Sequence, residues 1–542
     1  MQPNHTVTNQ VPPLEGYDVA DYPAITEYLG RAGAAEALPD LHELGRMAGS
    51  PEWITVGDLA EEHPPILETH DRYGNRIDLV RYDPAYHRLM DAAVAHGLAG
   101  RPWATGDPHA HLVRSAKFGV WAAVDAGHGC PISMTYAVVP ALRHNLDLAA
   151  RYEPGLTSLH YQPEMIVPTA KRGLIAGMSM TEKQGGSDVR ANTTVARSQA
   201  DGSFLITGHK WFTSAPNSDV LLVLAQTHEG LSCFFVPRIL PDGSRNAIFL
   251  QRLKDKLGNH SNASSEVEYD EAVGWMIGEP GRGVRTIIEM VNMTRLDCAT
   301  ASAALMRNGT TAAAHHVAYR RAFGVALVDQ PLMRNVVADL HVEAEAATLT
   351  ALWLADLTDR ALVDEQSAQL RRISLAISKY FICKRAPMHA AEALECLGGN
   401  GYVEDSRMPR LFRESPLMSI WEGSGNVAAL DALRAIGREP QTLAALLDEF
   451  DSAVGADRAY DEAVAAVKDS LGDTESLEYR ARHLVGRLAA LLSASLLIRY
   501  GHPAVADAYV RSRLDGSWGA VFGTLPGGVD TAALISRATP KL

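Results

Sequence analysis

Apolar residues recur at three- and four-residue spacing through most of the chain, the period of a helix with one buried face. Over residues 1–177 this pattern runs through segments such as Pro84–Gly97 and His109–Ala126. Proline and glycine clusters break it, as at His63-Pro64-Pro65 and Pro154-Gly155. Near residue 178 the texture changes to short β-prone runs, DVLLVLAQ at Asp219–Gln226 and LSCFFVP at Leu231–Pro237. Turn formers bound them, Asp201-Gly202-Ser203 and Pro241-Asp242-Gly243, where Gly accepts positive φ and Asp bonds its own backbone. Long Ala- and Leu-rich runs follow at Thr286–Ala318, Pro331–Leu357 and Leu370–Leu397, lengths that suit antiparallel helices in a bundle. Beyond Trp421 and the segment Ile436–Thr442, about one hundred residues return to the helical pattern. The expected class is α+β multidomain. It divides into an N-terminal helical domain (1–177), a β-domain (178–284), a helical bundle (285–440) and an extra helical domain (441–542).

Length agrees with several domains, because 542 residues exceed what a single core supports. Hydrophobic residues make up 46%, ordinary for a soluble globular protein. The N-terminal MQPNHTVTNQVPPL has neither a basic start nor an apolar stretch, so a signal peptide is not expected. No run of about 18 apolar residues stands out, so no membrane span is expected either. The formal charge of −14 argues against nucleic-acid binding over the whole surface and leaves room for a local basic patch. The five cysteines form no CxxC pair. They read as small buried hydrophobes in a reducing, cytoplasmic setting. His341, Glu343 and Glu345 match no common metal-ligand spacing and read as a helical surface, and His315-His316 point around a helix rather than to one face. No metal site is expected.

Four segments carry chemistry. In Met178–Ala191, MSMTEKQGGSDVRA, a Gly pair before Ser and Asp makes a tight turn whose N–H groups can bond an oxidised ring or a phosphate, although a plain turn looks the same. In Gly208–Ser214, GHKWFTS, a Trp two residues before a Thr can lie against a flat ring or simply fill a core. Glu395–Glu414 contains a Gly-Gly-x-Gly run that allows close backbone approach to a ligand, or caps a helix. In Ser419–Asn426, SIWEGSGN, a carboxylate precedes a flexible Gly-Ser-Gly. It is a base if an apolar site raises its pKa, and a surface group otherwise.

In this order and spacing, the segments resemble the acyl-CoA dehydrogenase superfamily over residues 1 to about 435. The family's T-E-x-x-G-G-S-D motif is matched by Thr181–Asp188, its Lys-Trp-x-Thr/Ser element by Lys210–Thr213, and its Arg before a Phe-Gly by Arg320 with Phe323-Gly324. Its acidic or amide residue before Gly-Gly-x-Gly-aromatic is matched by Glu395, Gly398, Gly399, Gly401 and Tyr402, and its catalytic loop by Trp421-Glu422-Gly423-Ser424. Many members have Gln where this chain has Glu395. Some carry the base on a bundle helix instead, but Asn292–Arg295 holds no Glu, which leaves Glu422 as the base.

The resemblance implies the acyl-CoA dehydrogenase fold: N-terminal helical domain, middle β-domain and C-terminal four-helix bundle, here with an extra helical domain. It implies bound FAD, with contacts from Met180, Thr181, Gly186, Ser187, Trp211, Thr213, Ser424 and Asn426, and from Arg320, Phe323, Gln330, Glu395, Gly398 and Gly399. Arg295 is implied to line the site beside Glu422. The implied reaction removes the α-proton of an acyl-CoA thioester while the β-hydrogen leaves as hydride to flavin N5.

Within the superfamily the chain resembles the AidB type, flavoproteins of the adaptive response to DNA alkylation, through MTEKQGGSDV, RLKDKLGNHSNAS and the segment past residue 440. That implies a homotetramer and a C-terminal domain that binds double-stranded DNA, with Arg434, Arg438, Arg511 and Arg513 as phosphate contacts. The last 102 residues hold ten basic and thirteen acidic residues, so the arginines equally suit a solvated surface balancing the acidic run 448–478. Two further readings stand beside the DNA-linked enzyme: a short- or branched-chain acyl-CoA dehydrogenase without a DNA role, and a non-enzymatic scaffold that keeps FAD for stability.

Overall fold

The computed structural model describes residues 4–473 and 475–542. They fold into two compact units. One comprises Glu52–Ala110 and Val124–Asp297, the other the described residues up to Pro51, His111–Ala123 and those from Cys298 onward. The division falls within a single helix, Gly283–Tyr319.

The first of these units is built around strands. The hairpin β1 (Ile66–His70) and β2 (Arg76–Arg81) is antiparallel. It interrupts a region whose periodicity reads as helix throughout. Its turn is closed by Asp71, which accepts the N–H groups of Tyr73 and Asn75, a short-range device that helical periodicity does not register. The larger sheet comprises β3 (Ala176–Ser179), β4 (Val195–Ser198), β5 (Phe204–Ser214), β6 (Val220–Thr227), β7 (Gly230–Pro237), β8 (Ile248–Leu253) and β9 (Ser264–Ile277). Its order is β3-β5-β4-β6-β7-β9-β8, and a further β5–β9 pairing closes it on itself. Closure leaves an enclosed core, with β8, paired to β9 at the end of the order, outside the ring. The strands β6 and β7 are buried almost end to end, which explains their uninterrupted apolar sequence. The helix Leu146–Leu156 packs on the barrel through Tyr152, 4.5 Å ring to ring from Phe235.

The other unit is helical. Asp364 caps the N-terminus of Glu365–Glu395 by accepting the Ser367 N–H. Gly283–Tyr319, Pro331–Arg360 and Glu365–Glu395 meet through a core of Ala299, Ala303, Ala344, Ala347, Ala351 and Ala386 with Met306 and Ile382. The residues after 440 join this bundle. Pro440–Asp451 and Ala481–Tyr500 pack on Glu365–Glu395, and Thr531–Ala538 packs on Pro331–Arg360. Ala481–Tyr500 is long and apolar enough by composition to cross a membrane, contrary to expectation, but 72% of its 18-residue apolar window is buried inside the fold. It is the core helix of the tail. All five cysteines are buried, as expected.

His341, Glu343 and Glu345 are buried, not a helical surface. Glu343 takes Arg385 and Arg513, each through a bond of 2.8–3.0 Å. Glu345 takes His341 at 2.8 Å and Arg537 at 2.7 Å. The charges sit inside because each meets a partner from the tail or a neighbouring helix, which offsets desolvation.

Candidate functional site

In the barrel unit, the segment following β3 is fastened from beneath. Glu182 is fully buried and accepts bonds from Lys210 Nζ (2.9 Å), the Thr193 N–H (2.6 Å) and the Thr194 N–H (3.0 Å). Lys210, equally buried, also donates to the Leu224 carbonyl at 2.7 Å. Burial raises the Glu182 pKa, but the Thr193 and Thr194 bonds and the Lys210 charge outweigh it and bring it down to about 2. Desolvation pushes Lys210 down to about 8 against the pull of Glu182. The pair therefore holds the start of the loop, while Gly186, Ser187 and Asp188 stay exposed. Gly186 has no room for a side chain, since a Cβ there would lie 2.7 Å from Thr181 Oγ1.

The same wall carries the β5 residues. The Trp211 N–H donates to the Thr181 carbonyl at 2.8 Å, and the Met180 carbonyl accepts from Asn192 at 2.9 Å. Register between β5 and β9 shifts between Lys210 and Thr213, turning Lys210 inward and leaving Trp211 half-buried. The indole is surrounded by cations: Lys254 Nζ lies 3.3 Å from its ring centroid, Lys183 Nζ 5.6 Å and the Arg252 guanidinium 5.8 Å. Thr213 is fully buried with its hydroxyl bonded to Ser179, so that hydroxyl is committed to the barrel interior. Met180, Thr181, Gly186, Ser187, Trp211 and Thr213 thus belong to one wall. Arg295, also in this unit, is buried on Gly283–Tyr319.

In the helical unit, Glu422 stands on a turn with left-handed backbone at two successive residues, φ +56° at Glu422 and +104° at Gly423. A non-glycine residue there is strained by on the order of 1–3 kcal/mol, a feature concentrated at functional sites. Ser424 and Asn426 are exposed at the start of the helix Gly425–Arg438. Lys379, on Glu365–Glu395 and 1% exposed, donates from Nζ to the Trp421 carbonyl (3.0 Å) and to the Gly423 carbonyl. The two residues flanking Glu422 are therefore tied to one ammonium. Bonds from a charged donor contribute roughly 1.5–3 kcal/mol each, enough to hold the strained turn. Lys379 was not among the residues expected to matter. Its signal in the sequence is a lone cation in the apolar run LAISKYFIC.

Arg320 donates to the Asn9 carbonyl at 2.5 Å. It precedes a hairpin of β10 (Arg321–Ala322) and β11 (Val325–Ala326), with Phe323 (φ +52°, 98% exposed) and Gly324 (φ +87°) at its tip. Gln330 follows at the N-terminus of Pro331–Arg360. Glu395, Gly398 and Gly399 are exposed where Glu365–Glu395 ends.

The tail arginines divide. Arg513 is a correction: its side chain is 3% exposed and pairs with Asp339 (2.6 Å) and Glu343 (3.0 Å), so it cannot meet a phosphate. Arg511 pairs with Asp507 at 3.3 Å and donates to the Gly527 carbonyl at 2.6 Å. Arg434 is 55% exposed beside Asp431, and Arg438 is exposed. Elsewhere in the tail, Arg480 pairs with Asp473 and Arg499 with Glu449.

Residues 9–163 match the family described as the adaptive response protein AidB N-terminal domain. Residues 177–272 match the acyl-CoA dehydrogenase middle domain, and residues 281–437 its C-terminal domain. The chain is 43% identical over 514 residues to the AidB protein of Escherichia coli strain K12, covering 94% of both. Among solved structures, Caenorhabditis elegans ACDH-11 in complex with C11-CoA superimposes with a TM-score of 0.85 at 25% identity, covering 99% of this chain and 93% of that one. The apo-form of Bd2924 superimposes with a TM-score of 0.84 at 28% identity, covering 92% and 100%.

Proposed function

Because the chain belongs to the acyl-CoA dehydrogenase superfamily, in its AidB branch, we propose that it is an FAD-dependent oxidoreductase acting on the CH–CH bond of an acyl-CoA thioester, with Glu422 as base. The observation that carries this reading is the Trp421–Ser424 turn, which sets a carboxylate on strained backbone and ties both its neighbours to Lys379.

The residues suit the cofactor. The exposed Gly186-Ser187 backbone, anchored through Glu182, offers donors to a ring, and the half-buried Trp211 offers a flat face. Lys183, Arg252 and Lys254 around that face suit a group that gains negative charge. Bound FAD supplies a two-electron acceptor for the substrate's β-hydrogen, which departs with its bonding pair as hydride. Glu422 takes the α-proton, the α-C–H electrons become the new Cα–Cβ π bond, and the carboxylate ends protonated. The Glu422 N–H donates to the thioester carbonyl and stabilises the charge that builds there. Arg320 and Gln330 serve the adenine and pyrophosphate end. The exposed Phe323 hairpin supports a homotetramer in which that end meets a neighbouring copy.

The decisive experiment records the visible spectrum of the holoenzyme anaerobically against a panel of acyl-CoAs, isovaleryl-CoA included. Glu422→Gln keeps FAD and slows reduction by about 10²–10⁴-fold. Undiminished reduction in that variant removes Glu422 as base.

A DNA-linked role in the adaptive response is the second reading. The likeness to AidB over nearly the whole chain and the exposed Arg434 and Arg438 support it. Duplex binding that weakens with salt, with the log–log slope reduced by about one for each of Arg434→Ala and Arg438→Ala, is the expected result. Binding with no salt dependence counts against it.

A further inference from the structure

The structure assigns Lys379 as the positioning residue for Glu422. This rests on the reading of Glu422 as the base. Lys379 lies mid-way along Glu365–Glu395, with Leu375, Ile382 and Cys383 of the same helix buried around it. A buried ammonium needs partners. Among the described residues Lys379 forms no salt bridge, and its hydrogen-bond partners are the carbonyls of Trp421 and Gly423. If the cation served stability alone, a well-packed apolar side chain would do as well, since desolvation offsets most of what such a group contributes. What an apolar side chain cannot do is fix two carbonyls that lie on either side of one residue.

That arrangement has a specific consequence. The left-handed turn at Glu422 and Gly423 sets both the direction of the carboxylate and the direction of the Glu422 N–H. In the proposed reaction the first takes the α-proton and the second bonds the thioester carbonyl. One clamp therefore aligns the base and the oxyanion donor together. Small misplacement of either lowers the rate steeply without weakening binding of the distant CoA moiety. Lys379 touches neither substrate nor reacting atoms in this scheme and acts through the loop.

The test compares Lys379→Met, Lys379→Gln and Lys379→Arg as FAD-loaded full-length protein, with isovaleryl-CoA as the probe. Lys379→Met is expected to lower the saturated rate of flavin reduction by about 10–100-fold while KM changes by less than about threefold. Lys379→Arg, which still donates, restores most of the rate. In a Glu422→Gln background Lys379→Met is expected to cost clearly less than in the parent, because only the oxyanion donor is then left for the clamp to align. Amide exchange at 422–425 is expected to quicken in Lys379→Met while the rest of Glu365–Glu395 keeps its protection. If the Met variant does not fold, Lys379→Gln, which loses the charge but keeps an amide donor, is expected to lose rate by an amount between those of Met and Arg.

A Lys379→Met rate within twofold of the parent overturns the assignment. So does an effect that persists in full on the Glu422→Gln background, or unchanged exchange at 422–425. Undiminished reduction by Glu422→Gln alone instead overturns the base assignment. Should the probe leave the flavin oxidised, exchange at 422–425 decides for or against the clamp by itself.

Discussion

The loop at 181–188 and the loop at 421–424 are each held from beneath by a buried lysine, yet the two lysines meet opposite chemistry. Lys210 meets a carboxylate, Glu182, inside the barrel. Lys379 meets two backbone carbonyls inside the bundle. In the first case the anchor is a side-chain ion pair that belongs to the fold, and the exposed residues proposed to face the flavin extend beyond it. In the second the anchor grips the strained backbone around Glu422, the proposed base. The barrel loop is thus secured by stability, the bundle loop by geometry, and a substitution at either lysine should separate the two.

The largest effect is expected at the barrel pair. Lys210→Met leaves Glu182 buried without its countercharge, which destabilises by about 3–5 kcal/mol. Thermal unfolding and FAD content should both fall. Adding Glu182→Gln should recover much of the loss, and if it recovers none, the pair is not the anchor. Relief of strain gives a smaller effect of opposite sign. Glu422→Gly removes a left-handed side chain and should raise stability by about 1–2 kcal/mol while abolishing reduction. A variant less stable than its parent would show that the turn is not strained.

A pH dependence follows from the same barrel pair. The Glu182 pKa is about 2 in the fold against an ordinary 4.5. Its folded pKa is depressed, so the unfolded chain binds more protons in between, and the contribution is complete above about 4.5 and lost as pH falls toward about 2. Urea midpoints of the parent and of Glu182→Gln should converge over that window, and a constant gap would deny the ion pair its role. Lys379, with neutral partners, predicts no such convergence for Lys379→Met over the same window.

Much of this was legible in the residues. The runs at Pro331–Leu357 and Leu370–Leu397 differ from the helices Pro331–Arg360 and Glu365–Glu395 only at their ends, because a 3.6-residue period is local and long runs average out exceptions. The β6 and β7 runs were legible through their turns and β-branched or aromatic content. The β1–β2 hairpin was not, since its signal is five residues of turn chemistry in a helical stretch. Glu422 was legible as a carboxylate before Gly-Ser-Gly, whereas its left-handed backbone and the lysine behind it were not.

What the sequence determined by itself was the succession of elements, the turn chemistry and the residue types able to take a proton or face a ring. Those follow from spacing over a few residues. What only the tertiary structure decided was which charges lie inside. Arg513 reads as one more basic residue of a charged tail, and Glu345 as part of a helical surface. Arg537 reaches Glu345 from 192 residues away and Glu27 from 510. Arg513 reaches Glu343 from 170. Burying a charge is tolerable only where a partner is brought to it, and partners that far apart along the chain meet only when the whole unit has folded.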